Sequence, residues 1–146
     1  MVQVISATLQ PSLCATEESN SRQLRVGLYQ MKWYDNASEH LQQLRAGVAA
    51  CAHAGAQIVF LPELTLSRYP ADKRPESSSD RQPEDIRNGP TVAFAKDAAR
   101  ENDVFVQVSL YEQVEREDGL GFNTAVLVAP NGCLLYTSDA ADDLGR

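Results

Sequence analysis

Cysteine and histidine are scarce in this chain of 146 residues, which has three cysteines and two histidines. The cysteines, Cys14, Cys51 and Cys133, are odd in number and far apart, so they predict neither a disulfide framework nor a zinc-binding spacing. With only two histidines beside them, they leave little material for a metal site. The sequence therefore indicates no metal and no cofactor, and its cysteine usage favours a reducing compartment.

Basic residues and long apolar runs are also few. Lys and Arg total 13 against 20 Asp and Glu, so the formal net charge is -7. An acidic chain without a basic cluster is not expected to bind nucleic acid. No apolar run approaches the roughly 18 residues that a membrane-spanning helix needs, and residues 1–22 lack the pattern of a signal peptide. We therefore expect a cytoplasmic protein with neither a nucleic-acid nor a membrane partner.

The first half of the chain has the pattern of a strand, a helix and a second strand. Apolar residues alternate over residues 24–30, which predicts a strand. A helix is predicted from Asn36, a suitable N-cap with Glu39 three residues later, to Gly55, which suits the position just past a helix end. The continuous apolar run over residues 57–61 predicts a strand buried on both faces. This order indicates a βαβ unit and therefore an α/β fold.

The second half adds a helix and two strands after a long polar segment. Residues 62–88 are rich in Pro, Ser, Asp and Arg, and a loop of this length is uncommon in a compact domain unless it carries function. Pro90 predicts the first turn of the second helix. Residues 104–111 and 121–129 predict two strands joined as a hairpin, and Asn-Gly at residues 131–132 begins a further hairpin turn.

One carboxylate stands at a position suited to chemistry. The apolar run at residues 57–61 stops at Pro62, which has no backbone donor, and Glu63 follows at once. Open α/β sheets place ligand sites at the carboxyl ends of their strands. A glutamate there, held against apolar neighbours, suits a general base or acid; the alternative is a solvated or capping residue. The histidines have no such context, and His40 is expected at the surface.

Several short motifs, taken in order, resemble the nitrilase (carbon–nitrogen hydrolase) superfamily. Phe-Leu-Pro-Glu-Leu at residues 60–64, followed by Ser-Arg-Tyr-Pro at 67–70, is similar to the first catalytic motif of that family. The resemblance covers residues 24–132 in the family's order and spacing. Its other motifs are Val-Gly-Leu-Tyr-Gln at 26–30, Ala-Gly-Ala-Gln-Ile-Val at 54–59, Gly-Pro-Thr at 89–91, the predicted strand at 104–112, Phe-Asn-Thr-Ala at 122–125 and Pro-Asn-Gly at 130–132.

The resemblance implies an α-β-β-α sandwich that hydrolyses non-peptide carbon–nitrogen bonds with a Glu–Lys–Cys triad. In such a triad the Cys thiolate attacks the nitrile or amide carbon, the Glu is the general base, and the Lys stabilises the developing charge. By motif, Glu63 matches the family's glutamate. Tyr69 and Asn123 are the candidate substrate-binding residues, with an exposed loop position and a structural hydrogen bond as their respective alternatives. The implied partner is a small amide, carbamoyl or nitrile substrate.

The lysine and the cysteine of the triad have no counterpart in this chain. The family's lysine lies in a Tyr-Arg-Lys stretch shortly after the position that this chain reaches at Gly132, and its cysteine lies further on. The lysines present are Lys32, Lys73 and Lys96, and none fits that motif. Cys51 falls on the apolar stripe of the predicted first helix, where a small core residue is expected. The 146-residue chain is therefore expected to be inactive by itself.

The last residues differ in character from the rest of the chain. Residues 133–143 read Cys-Leu-Leu-Tyr-Thr-Ser-Asp-Ala-Ala-Asp-Asp, which resembles the translation of a common sequencing-library adapter. The sequence thus predicts a loose leader over residues 1–23, the N-terminal part of a hydrolase domain over residues 24–132, and a non-native tail over residues 133–146. The expected fold is part of the nitrilase-type sandwich, truncated after the fourth strand. A native acidic tail is the alternative.

The most specific interpretation is an amidase of the carbamoyl-cleaving type, similar to N-carbamoylputrescine amidase, of which this chain is an incomplete fragment. It depends on Leu-Ser-Arg-Tyr-Pro at residues 66–70 and Phe-Asn-Thr at residues 122–124. Because the family often pairs subunits, the full-length parent is expected to be a homo-oligomer. The alternative is a small α/β domain that binds or associates without catalysis.

Overall fold

The computed structural model describes residues 2–7, 23–68, 83–115 and 121–139, which contain two helices and a five-stranded sheet. The predicted α/β fold class is confirmed. Neither helix in these described ranges combines the length and the apolar character needed to cross a membrane. The elements in chain order are β1 (Val26–Leu28), α1 (Ala37–His53), β2 (Ile58–Phe60), α2 (Pro90–Asn102), β3 (Phe105–Glu112), β4 (Phe122–Val128) and β5 (Leu134–Asp139).

The strands lie in the sheet in the order in which they occur along the chain. β1, β2 and β3 are parallel, whereas β4 and β5 are each antiparallel to the strand before them. Val59 of β2 is paired with Gly27 on one side and Val106 on the other, and Val106 is paired in turn with Val128. The βαβ unit and the β3–β4 pairing therefore follow the sequence pattern.

Three of the four helix ends are set by residues that the sequence marks. The Asn36 side chain accepts a hydrogen bond from the Glu39 backbone N–H at 3.0 Å, and this satisfies a donor in the first turn of α1. Gly55, with φ +87°, takes the left-handed conformation just after α1. α2 has Pro90 in its first turn and ends before Asp103, which is also left-handed at φ +52°.

The core lies between the two helices and one face of the sheet. β2, β3 and β4 contribute every second residue to this face, which is the period of a β-strand. The largest fully buried side chains are Leu44 and Val48 of α1, Thr91 and Val92 of α2, and Val59, Val106, Val108, Leu110, Val126 and Val128 of the sheet. This face holds the strands in fixed register, because a slip of one residue in a strand would move the buried valines of that strand to the exposed face.

The opposite face of the sheet is much more exposed. Phe60 and Phe105 are each 36% exposed, and Leu28 on the edge strand is 78% exposed. The prediction that the strand at residues 57–61 is buried on both faces is therefore wrong for this chain. Its apolar side chains on the helix side, such as Val59, are buried, whereas those on the other side face outward.

The sheet also extends one strand beyond the predicted fourth. Gly132, at φ +80°, lies in the turn that connects β4 to β5, and the Asn131 side chain accepts the Cys133 backbone N–H at 2.9 Å. β5 pairs with β4 from Val128, opposite Leu134, with a register shift between Leu127 and Val128. The expected end of the sheet after its fourth strand is thus one strand too early.

Candidate active site

The predicted catalytic glutamate lies where the chain leaves the sheet after β2. The Leu61 backbone N–H still donates to the Gln107 carbonyl at 3.2 Å, which extends the parallel pairing by one residue. Pro62 has no N–H and ends this pairing. Glu63 follows as an exposed residue, and Leu64 then turns the chain in the left-handed conformation at φ +49°. The expectation that Glu63 is held against apolar neighbours is not met, because this face of the sheet is exposed.

The loop that carries Glu63 is fixed to β3 by hydrogen bonds to one serine. The Leu64 N–H donates to Ser109 Oγ at 3.0 Å. The Thr65 N–H donates to the Ser109 carbonyl at 2.9 Å, and the Ser109 N–H donates to Thr65 Oγ1 at 3.1 Å. Ser109 and Thr65 are 5% and 2% exposed. Because little water reaches these groups, the hydrogen bonds hold the loop backbone in one place.

The structure brings Glu63 together with Asn123, the second predicted site residue. Asn123 Nδ2 donates to Glu63 Oε1, and Asn123 Oδ1 accepts from Ser109 Oγ at 3.0 Å. Glu63 and Asn123 are 60 residues apart in the sequence, and β4 places the asparagine opposite Tyr111 of β3. Tyr69, the third predicted residue, lies outside the described residues.

A buried histidine supports the loop from the side of α1. His40 is 6% exposed, so its predicted surface position is wrong. Its Nε2 lies 2.9 Å from the Thr65 carbonyl oxygen. A carbonyl can only accept, so Nε2 is the protonated nitrogen in this contact. The Trp33 ring lies 4.3 Å from the His40 ring, centroid to centroid.

The sequence contains a signal for His40 but not for Ser109. His40 precedes Leu44 and Val48 at intervals of four residues, so it shares their buried face on α1. Ser109 lies between Val108 and Leu110 on the other face of β3, and no spacing marks a small polar residue there as a hydrogen-bonding centre.

Lys32, Lys96 and Cys51 each contact other groups of the chain rather than Glu63. Lys32 Nζ lies over the Tyr34 ring at 4.9 Å from its centroid, and Lys96 Nζ donates to the Arg87 carbonyl at 2.9 Å. Cys51 packs against the core from α1, and burial raises the pKa of its thiol. A raised pKa lowers the thiolate fraction, which suits a core residue rather than a nucleophile.

Glu63 can accept or deliver a proton, because its carboxylate is exposed and is held in one orientation. One oxygen of Glu63 is held by the Asn123 amide, and the loop backbone beneath it is anchored to Ser109. Such a fixed carboxylate suits general acid–base chemistry. In the part of the chain that the structure describes, no three His, Cys, Asp or Glu side chains come together in a way that could hold a metal ion.

Comparison with known proteins gives a family match over most of the chain. The sequence model described as carbon-nitrogen hydrolase matches residues 25–140. A comparison with curated protein sequences finds no significant match.

Solved structures with the same fold are amidases and a further carbon-nitrogen hydrolase. An N-terminal amidase is 16% identical, with a TM-score of 0.61, and the match covers 79% of this chain and 27% of that one. A carbon-nitrogen hydrolase from Helicobacter pylori G27 is 20% identical, with a TM-score of 0.61 and coverage of 79% and 38%. A Glu-to-Gln variant of the amidase from Nesterenkonia sp. AN1, carrying acrylamide at its active-site cysteine, is 18% identical, with a TM-score of 0.62 and coverage of 85% and 46%. The chain thus spans less than half the length of these three proteins.

Proposed function

Since the chain belongs to the carbon-nitrogen hydrolase family, we propose that it is the N-terminal part of an enzyme that hydrolyses non-peptide carbon–nitrogen bonds. The substrates are small amide, carbamoyl or nitrile compounds. The observation that carries the proposal is the hydrogen bond from the Asn123 amide to the Glu63 carboxylate at the end of β2. It links two of the three predicted site residues, on the face of the sheet that the helices leave exposed.

In this proposal Glu63 is the general base of a Glu–Lys–Cys triad. It takes the proton of a cysteine thiol while the sulfur forms a bond to the substrate carbon, and it returns that proton to the nitrogen as the carbon–nitrogen bond breaks. Water then hydrolyses the acyl-enzyme. The lysine and the cysteine are supplied by sequence that follows residues 24–132 in the full-length enzyme. Lys32, Lys96 and Cys51 do not fill these roles, because each has another contact.

The finer proposal is a carbamoyl-cleaving amidase similar to N-carbamoylputrescine amidase. The sequence at residues 66–70 and at residues 122–124 supports it. Tyr69 and Asn123 line the substrate site in this proposal, and Asn123 Nδ2 carries a second hydrogen that it can offer to a substrate oxygen. We further propose that the full-length enzyme is a cytoplasmic homo-oligomer that does not bind nucleic acid.

The first experiment is to sequence the gene again across codons 125–150 from an independent amplicon without adapters. On the resemblance of residues 133–143 to an adapter translation, we propose that residues 133–146 are not native. A reading frame that continues into new sequence with a Tyr-Arg-Lys stretch and then a cysteine motif is the expected result. If the new sequence contains residues 133–146 followed by a stop codon, the proposal is contradicted. That result would favour a non-catalytic binding domain.

The second experiment measures ammonia release by the full-length enzyme from N-carbamoylputrescine, a small aliphatic amide and a small nitrile. Glu63→Gln is expected to lower kcat by about 10²–10⁴-fold, the usual contribution of a general base. Glu101→Gln, at an exposed position on α2, is the matched control and should keep kcat within twofold. A Glu63→Gln enzyme with kcat within tenfold of wild type would show that Glu63 is not the base.

A further inference from the structure

A series of three hydrogen bonds connects the Leu64 backbone N–H to Glu63 through Ser109 and Asn123. In each bond the donor lies on the Leu64 side and the acceptor on the Glu63 side. The Leu64 N–H can only donate, so Ser109 Oγ accepts from it. The single hydroxyl proton of Ser109 then goes to Asn123 Oδ1. As a result the amide NH₂ of Asn123 faces Glu63 and donates to Oε1.

From this order we infer that Ser109 is a positioning residue for Glu63. It fixes the orientation of the Asn123 amide, so that Glu63 is held through Oε1 and exchanges protons through Oε2. The inference rests on the proposed function only in giving Glu63 the role of the base. The proton that leaves the attacking thiol then arrives at Oε2, and the same oxygen returns it to the leaving nitrogen.

The sheet explains why a serine at this position can reach the asparagine. Ser109 is paired with Ala125 across the β3–β4 ladder, and Asn123 is two residues before Ala125. Residues two apart on a strand share a face, so Ser109 and Asn123 are diagonal neighbours on the exposed side of the sheet. The short serine side chain points its hydroxyl to the longer asparagine side chain, whose amide then extends to Glu63.

The Leu64 backbone N–H, where this series of hydrogen bonds starts, is itself held in place. Leu64 has a left-handed backbone, and Thr65 beside it exchanges two hydrogen bonds with Ser109. From the other side, His40 donates to the Thr65 carbonyl. The Leu64 N–H therefore cannot turn away from Ser109 without breaking bonds to buried groups, which is costly.

The reversed orientation of Asn123 is disfavoured by the same bonds. A reversed amide would place its oxygen against the Glu63 carboxylate, with no proton between two acceptors. It would also take away Asn123 Oδ1, the acceptor of the Ser109 hydroxyl proton. A role in packing alone would not require a hydroxyl at Ser109, because alanine fills nearly the same space.

The test uses nuclear magnetic resonance of the ¹⁵N-labelled 146-residue chain. Ser109→Ala is expected to move the Asn123 side-chain NH₂ signals and to speed hydrogen exchange at the Leu64 N–H at least tenfold. Ser109→Thr keeps the hydroxyl and should restore both readouts. The matched control is Thr124→Val, which removes another buried hydroxyl of the same sheet, one that donates to Glu112 at 2.6 Å. It should leave Asn123 and Leu64 unchanged.

A Ser109→Ala variant with unchanged Asn123 signals would overturn the inference. If Ser109→Ala does not fold, Ser109→Cys keeps the size with a weaker donor, and it is judged by the same two signals. In the full-length enzyme, Ser109→Ala should lower kcat by about tenfold or more, with KM within twofold. An active Glu63→Gln enzyme would refute the proposed function while the magnetic-resonance result for Ser109 stands, so the two failures are distinguishable.

Discussion

A buried glutamate caps α2 from a distance, and its removal should be costly. The Glu84 carboxylate accepts from the Thr91 backbone N–H at 2.8 Å and from the Thr91 hydroxyl at 2.7 Å. Gly89, the N-cap residue of α2, offers no side chain for this purpose. The Glu84 backbone is itself tied to β3, because its N–H donates to the Tyr111 carbonyl at 2.7 Å. Glu84 therefore links the start of α2 to the sheet.

The expected loss in Glu84→Ala follows from these two bonds. Hydrogen bonds to charged groups contribute about 1.5–3 kcal/mol each, and a lost helix cap costs about 0.5–2 kcal/mol. Thr91 is fully buried and Glu84 is 8% exposed, so water does not replace the lost partner easily. Since these contributions overlap, we expect the free energy of unfolding to fall by about 3 kcal/mol, and Tm by about 10 °C for a chain of this size.

The assay is urea unfolding at pH 7, followed by circular dichroism. The matched control is Glu101→Ala, which removes an exposed pair with Arg45 at 2.8 Å and should cost less than about 1 kcal/mol. Thr91→Val and the double variant complete a cycle, in which a coupling of at least about 1 kcal/mol is expected. A Glu84→Ala variant that loses no more stability than Glu101→Ala would refute the capping argument.

Two further predictions concern a glycine in α1 and a turn before α2. Gly47→Ala should destabilise the chain by about 1–3 kcal/mol, because the added Cβ overlaps the Tyr29 ring. Increased stability, as helix propensity alone predicts, would contradict this. The control Ala49→Gly, at an exposed position of α1, measures the effect of helix propensity without such an overlap. The backbone N–H groups of Asn88 and then Arg87 hold the pKa of Asp85 below its usual 3.8. Because a lowered folded-state pKa stabilises above the unfolded value, this contribution is lost as pH falls from about 4 through the lower folded value. Urea midpoints from pH 6 to 2.5 should therefore fall less steeply for Asp85→Asn, and parallel curves would show that the turn does not matter.

The helices and their ends were predictable because local residues determine them. Asn36 and Gly55 sit where capping chemistry places them, and Pro90 begins α2. The positions of the first four strands along the chain also followed from hydrophobic periodicity. The length of the connections indicated which neighbouring strands form a βαβ unit and which form a hairpin. Each of these signals acts within a few residues, so a single sequence contains it.

The site was only partly predictable because its contacts join distant segments. Glu63 and Asn123 could be selected from the motif resemblance, but their hydrogen bond depends on the register of β4 against β3. Ser109 carried no pattern of its own, and His40 was misplaced although it shares a helix face with Leu44. The apolar run at residues 57–61 alone does not say whether a second layer covers Phe60, which is 36% exposed.

The contact between Glu63 and Asn123 also has a consequence for the order of assembly. During synthesis Glu63 emerges 60 residues before its partner, so the loop after β2 is complete while its orienting amide does not yet exist. The carboxylate becomes directed only when β4, which carries Asn123, pairs with β3. A nascent chain that stopped before residue 122 would carry the glutamate without its orientation. The pairing of β4 with β3 is therefore the step that orients Glu63.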